Sequence, residues 1–325
     1  MAAADGRAAR MPDLPSHLSL AWGVTAGLGA AAASAICYLL SRHYAIRSGR
    51  PGLRLFVLAH LVMGCICLPV AWLLAPPGLP PPGSWLPACL GSVASYLLGQ
   101  AAVFAALRSA DASRVSPLLG LKVAMLALVV SGIVGTPLDA GQWLAVGLSV
   151  TAAALLRGAG SPLRPLVLGL IASACLAFAV SDLFIVALID ALQPSLSGGS
   201  AGIARLHAGG LAMAVTYVVC GLAAAPLVAR GPRPDRQDWI AAGQYALAWL
   251  AGMVGLYACF GLVGVVLGNI LQSTRGLMSV GLGAVFATLG WPDLEEPVDR
   301  LTLFKRIVAG LLMTAAIAAS VTDLW

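Results

Sequence analysis

The sequence predicts an all-α membrane protein, with ten transmembrane helices arranged as two inverted five-helix repeats. Three observations lead there. Of 325 residues, 60% are apolar and 10% charged, with a mean hydropathy of +0.92, whereas soluble globular chains carry about 25% charged residues. Apolar runs of about 20 residues recur along the whole length, enough to cross a bilayer core as helices that satisfy their own backbone groups. A single offset of 153 residues also lays one part of the chain on another.

The elements follow in order. Residues 1–17 are Ala-rich, carry Asp5, Arg7, Arg10 and Asp13, and read as a flexible tail. The run 18–40 is too long for a signal peptide and lacks a small-residue cleavage pattern, so it is the first span. Gly23 and Gly27 within it have the small-xxx-small spacing that admits a neighbouring helix. Further spans are expected at 53–75, 85–107, 114–134, 140–156, 164–189, 207–229, 238–259, 266–288 and 303–321. Pro and Gly mark most breaks, as at 75–83, 135–137, 161–162, 231–234 and 291–292. The break near Gly261 to Val265 carries no charge.

Cations set the orientation. Arg42, Arg47, Arg50, Arg54, Arg108, Arg114, Arg157, Arg164, Arg230, Arg233, Arg236, Arg300, Lys305 and Arg306 follow odd-numbered spans, against Arg7, Arg10 and Arg205 on the other side. The positive-inside rule makes the first set cytoplasmic and puts both termini outside. The net charge of +6 then needs no nucleic-acid partner. The seven cysteines lie in or beside apolar runs, without paired C-x-x-C spacing, and read as small buried hydrophobes rather than metal ligands.

At the 153-residue offset Leu58, Ala59, Cys67 and Ala71 fall on Leu211, Ala212, Cys220 and Ala224, and Phe104 falls on Tyr257. Lys122 falls on Arg275, superimposing the two cations that lie inside spans. Halves of five spans each, 18–158 and 159–325, must be inverted, the common plan of secondary transporters with a midplane site.

Two cations at such an interface repel unless an anion lies between them. One reading is a clamp on a substrate phosphate or carboxylate, Arg275 offering a fork and Lys122 a point charge, with Gln272, Asn269 and Ser279 adding hydrogen bonds. The other is an intramembrane ion pair with Asp182, the one acid deep in a span, which is also a candidate for proton or sodium coupling. Ser92, Tyr96 and Gln100 form a polar stripe, weakly repeated as Gln244, Ala248 and Gly252; such a stripe lines a cavity or bridges helices. Lone His60 and Tyr217 read as helix-to-helix hydrogen bonds. The pattern Gly198-Gly199-Ser200-Ala201-Gly202 mimics a nucleophile elbow but follows no strand. Asp293, Glu295, Glu296 and Asp299 read as a solvated short helix.

Five plus five spans, the connection Ala-Leu-Arg-Ser-Ala-Asp-Ala-Ser-Arg-Val-Ser-Pro at 106–117 and Gly-Thr-Pro-Leu-Asp-Ala-Gly-Gln-Trp-Leu-Ala-Val-Gly-Leu at 135–148 resemble the EamA-like branch of the drug/metabolite transporter superfamily. Gly268-Asn269 followed by Arg275 is similar to the Gly-Asn and basic positions of the sugar-phosphate and nucleotide-sugar branches. The resemblance implies cytoplasmic termini, opposite to the charge rule. It also implies transport of a small molecule across a cell membrane, the inner membrane in a bacterium.

The expected function is therefore alternating-access transport of a small organic anion, with Lys122, Arg275, Gln272, Asn269, Gln100 and Tyr96 in its site and Asp182 as a possible coupling residue. Export of drugs, amino acids or lipid-linked sugar headgroups is the alternative, and a non-transporting assembly subunit is a third reading. No cofactor, metal or enzymatic activity is implied, the partners are solute and membrane lipid, and the oligomeric state stays open.

Overall fold

The computed structural model describes residues 17–107, 118–156, 164–196, 201–275, 277–278, 282 and 300–322, which form helices and no strand. The helices are α1 (His17–Ser48), α2 (Gly52–Leu74), α3 (Pro82–Leu107), α4 (Lys122–Val129), α5 (Ala140–Leu156), α6 (Pro165–Leu192), α7 (Ala201–Arg230), α8 (Arg236–Ser273) and α9 (Arg300–Thr322). Six of them are long and apolar enough to cross a membrane: α1, α2, α3, α6, α7 and α8. Leu119–Val134 and Ile307–Ala319 form shorter apolar helices.

Where the residues are described, boundaries expected from sequence fall close to these, with two corrections; residues 114–117 of the expected fourth span and most of 276–288 of the ninth lie outside the described residues. α1 runs on to Ser48, so Arg42 and Arg47 are helical rather than in a loop. The backbone ladder has no reason to stop where hydropathy does, and Gly49 (φ 63°) ends it. α7 opens at Ala201, so Ala201 and Gly202 of the elbow-like pattern are helical; residues 198–200 lie outside the described residues. The acidic segment 293–299, Arg108, Arg114, Arg157 and Ser279 also lie outside them.

The uncharged break in α8 is at Gly264, with φ 82° and ψ 170°. That backbone is open to glycine and strained for other residues. There the chain folds back: the open side of Gly27 faces both Cys259 and Leu271, and that of Gly268 faces Phe260. Residues 259 and 271 would stand about 18 Å apart along a straight helix. α8 is thus two arms, 236–263 and 265–273.

Helices pack in antiparallel pairs, α1 with the first arm of α8, α2 with α7, α3 with α6, and α5 with α9. Small residues permit the closest approaches. Gly23 rests against Val263 and Gly255 against the Ala26 carbonyl, seating α1 on α8 as the glycine spacing predicts. Of the cysteines, six are buried but Cys65 is exposed, correcting the expectation that all are interior. Two residues apart on a helix, Cys65 and Cys67 point about 200° apart, and Cys67 takes the inward face.

Arginines expected at one end do gather there. Asp238, fully buried, opens α8 in a capping box with Asp235. It accepts from Tyr44 at 2.7 Å and pairs with Arg50 at 2.6 Å and Arg54 at 2.7 Å. Arg50 also reaches Asp235 at 2.8 Å, and Arg54 donates to the Arg233 carbonyl. The Asp238 amide and the Arg50 guanidinium together hold the Asp235 carboxyl below the usual carboxylate range. At the far end Arg205 pairs with Asp190 at 2.9 Å, and His207 bonds the Leu74 carbonyl.

Candidate functional site

The helix pairs leave a cavity of about 130 Å³ between them. All seven residues singled out by sequence line it: Lys122, Arg275, Gln272, Asn269, Gln100, Tyr96 and Asp182. They arrive from four elements, α3, α4, α6 and the second arm of α8 with its continuation.

Lys122 follows a 3₁₀ turn, Leu119–Leu121, and starts α4. After eight residues α4 gives way to a π turn, Val130–Val134, closed by left-handed Gly135. Broken helices are tolerated at membrane depth where they are buried in protein or line a cavity. The Lys122 ammonium lies 2.5 Å from Asp182 Oδ2, and Asn269 donates to the same oxygen at 2.7 Å while also bonding the Val265 carbonyl. The Asp182 side chain is 6% exposed and that of Lys122 21%. Of the two readings of Lys122, the structure shows the ion pair with Asp182. Coulomb attraction in a poorly screened interior is reason enough.

The Arg275 guanidinium lies over the Tyr38 ring, 5.1 Å from its centroid, and the Lys122 ammonium lies 6.0 Å from that of Phe178. Gln272 Nε2, beside them, is buried and has no hydrogen-bond partner among the described residues. A buried donor left unmade costs about 1–3 kcal/mol.

An aromatic cluster adjoins the charges. Tyr96 lies 6.3 Å from both Phe178 and Trp249, centroid to centroid. The stripe Ser92, Tyr96 and Gln100 lines the cavity, and Ser181 donates to the Ser92 carbonyl at 3.0 Å. His60 bonds Tyr96 across α2 and α3 at 3.0 Å, and Trp249 donates to Tyr217 across α8 and α7 at 2.6 Å, so both lone polar residues tie helices together.

The weaker stripe is corrected. Gln244 is exposed and Gly252 packs on α1, so neither faces the cavity. Trp249, Met253 and Tyr257 line it instead, along with Tyr38 and Phe178. Those residues were missed because aromatic side chains in a span read as packing. A signal was present: the 153-residue offset carries Tyr96 to Trp249, Gln100 to Met253 and Phe104 to Tyr257.

Among the described residues no group of histidines, cysteines and acids is placed to hold a metal.

No curated protein matches the chain. Among solved structures 28 chains do. One, described only as the crystal structure of a protein, shares 14% identity at a TM-score of 0.62, over 94% of this chain and 96% of that one. At that identity the likeness establishes a shared fold alone. The family comparison is narrower and chemically more informative: residues 21–158 match the EamA-like transporter family. Over that stretch, somewhat less than half of its length, the chain is similar to the EamA-like transporter family, and six of its helices are long and apolar enough to cross a membrane.

Proposed function

We propose that the chain carries a small organic anion, phosphorylated or carboxylated, across the membrane by alternating access, with its solute held in the central cavity against Arg275. The observation that carries this reading is the convergence of two cations and several hydrogen-bond donors on one cavity. The described residues lining the cavity bring two cations and one carboxylate, and the buried Gln272 Nε2 has no acceptor among the described residues. Arg275 lines the same cavity as the Lys122–Asp182 pair, and its planar fork suits carboxylate or phosphate. Asn269, Gln272, Gln100 and Tyr96 surround the solute's polar groups, and the rings accommodate an apolar body.

The proposed engine is two inverted halves, 18–158 and 159–325. Helix pairing favours it: exchanging the halves turns the α1–α8 pair into the α6–α3 pair and leaves α2–α7 and α5–α9 unchanged. Each half also sends its cation to the other half's leading helix, Lys122 to α6 and Arg275 to α1. The arginine-rich end closed by Asp238 is proposed as cytoplasmic. Partial exposure of Lys122 within a cavity favours transport over a purely structural role.

A second reading is export of amino acids, drugs or lipid-linked sugar headgroups. It is favoured by Asp182, whose carboxylate would take a solute ammonium if Lys122 let go.

The test is thermal stabilisation of the purified protein by a panel of phosphorylated and carboxylated metabolites. A ligand at 100 times its Kd adds about 2.7 kcal/mol of stability. Anions are expected to stabilise the native protein and not Arg275→Gln. Stabilisation by ammonium compounds alone would favour export, and an equal response of both proteins to every anion would sink the clamp.

A further inference from the structure

We propose that His60 fixes the hydrogen-bond sense of the cavity wall, so that the solute is one that donates a hydrogen bond to the Tyr96 oxygen. The proposal rests on the transport reading above and adds a second recognition group to it, a hydroxyl or amide N–H beside the anionic group.

The argument is one of proton bookkeeping. His60 is 1% exposed on α2, its ring pinned 4.0 Å from the Phe56 ring, 5.7 Å from Tyr96 and 6.1 Å from Tyr217, centroid to centroid. Its Nδ1 lies 2.8 Å from the Phe56 carbonyl oxygen. A carbonyl only accepts, so Nδ1 carries a hydrogen. In the uncharged imidazole Nε2 is then bare and must accept. Its partner at 3.0 Å is the Tyr96 hydroxyl, which therefore donates. Tyrosine has one hydroxyl hydrogen. With it committed to His60, the Tyr96 oxygen offers the cavity lone pairs only.

A second bond at the wall, between α8 and α7, has the reverse sense. Indole Nε1 can only donate, so Trp249 makes the Tyr217 oxygen an acceptor at 2.6 Å, and Tyr217 keeps its own hydrogen to give. The wall thus presents one acceptor and one donor of fixed polarity. Gln100 hydrogen-bonds Tyr96 as well and takes one of its lone pairs; a solute lacking a donor leaves the other without a partner, and sites built to bond a substrate hydroxyl discriminate against the deoxy analogue for that reason. His60 touches no solute in this scheme and acts through Tyr96.

The experiment compares mandelate with phenylacetate, which share a ring and a carboxylate and differ by one hydroxyl, using stabilisation of the full chain to obtain each Kd. The native protein is expected to hold mandelate about tenfold tighter, consistent with one net hydrogen bond. Tyr96→Phe should remove that preference. His60→Gln, whose amide oxygen still accepts, should keep the preference, and His60→Leu should lose it. In parallel, ¹⁵N NMR of labelled histidine, assigned with His60→Gln, should report a protonated Nδ1 and a bare Nε2 that responds to Tyr96→Phe. A hydrogen on Nε2 overturns the proposal whatever binds. Equal affinity for the two acids in the native protein, or a preference that survives Tyr96→Phe, overturns the donor requirement. Binding of neither acid, with the tautomer as stated, overturns the organic-anion reading and the donor requirement together, while the polarity of Tyr96 stands.

Discussion

Gly64 on α2 and Gly221 on α7 meet face to face: a Cβ on Gly64 would lie 2.8 Å from the Gly221 Cα, and one on Gly221 would lie 2.7 Å from the Gly64 Cα. Backbone, not flexible side chain, is what each would strike. Gly64→Val and Gly221→Val are therefore expected to destabilise by about 1–3 kcal/mol or more each, as overpacking does. Gly29→Ala, with nothing nearby, should be neutral or stabilising by up to about 1 kcal/mol. Thermal unfolding in one detergent compares all three, and a neutral Gly64→Val would contradict the crossing.

The Lys122–Asp182 pair should respond to substitution non-additively. Removing either partner strands the other in a poorly hydrated site, at roughly 3 kcal/mol. Lys122→Gln with Asp182→Asn together should cost much less than the two singles summed. A double-mutant cycle on unfolding free energy measures this, and additive costs would mean that the two groups do not interact.

Gln272 offers a trade of stability against function. Its buried Nε2 has no partner among the described residues, so Gln272→Leu should stabilise the empty protein by about 1 kcal/mol. The same change should weaken anion binding severalfold. A loss of stability in the empty protein would show that the amide is already satisfied.

Acid should undo part of the latch at the α1–α8 end. The Asp235 carboxyl is held below its ordinary range in the folded chain, first by the Asp238 amide and then by Arg50. A carboxylate depressed by folding stabilises above its unfolded value, about 3.9, and that contribution fades as pH falls through the folded value. Asp235→Asn should therefore be less stable than the native protein at pH 6, with the gap closing below about pH 4. Unfolding midpoints across that range test it, and a gap independent of pH would assign the effect to helix capping alone.

Much of this was readable in the chain because a bilayer enforces it. A run of about 20 apolar residues has few alternatives to a helix, which is why 140–156 was placed to the residue. Depth also was legible, since a cation inside a span must find a cavity or a partner; this is how Lys122, Arg275 and Asp182 were found together. Which of two chemically reasonable partners Lys122 takes was left open, because Asp182 is 60 positions away and only packing brings them into contact. Faces were harder still. In lipid an apolar exterior looks like an apolar interior, so periodicity did not separate the inward Trp249, Met253 and Tyr257 from the outward Leu247 and Val254. The Asp235–Asp238 latch went unread because charges at helix ends look like ordinary solvated termini, and its partners Tyr44, Arg50 and Arg54 come from the other end of the sequence.

The reversal at Gly264 has a bearing on how chains of this kind are numbered. By hydropathy alone α8 is a single unbroken stretch of 38 residues, and a profile counting one passage there gives every later residue the opposite side from a profile counting two. Arg300, Lys305 and Arg306 would then change sides, and the charge asymmetry used to orient the chain would shrink. One achiral residue, with no charge or proline beside it, decides between the two counts.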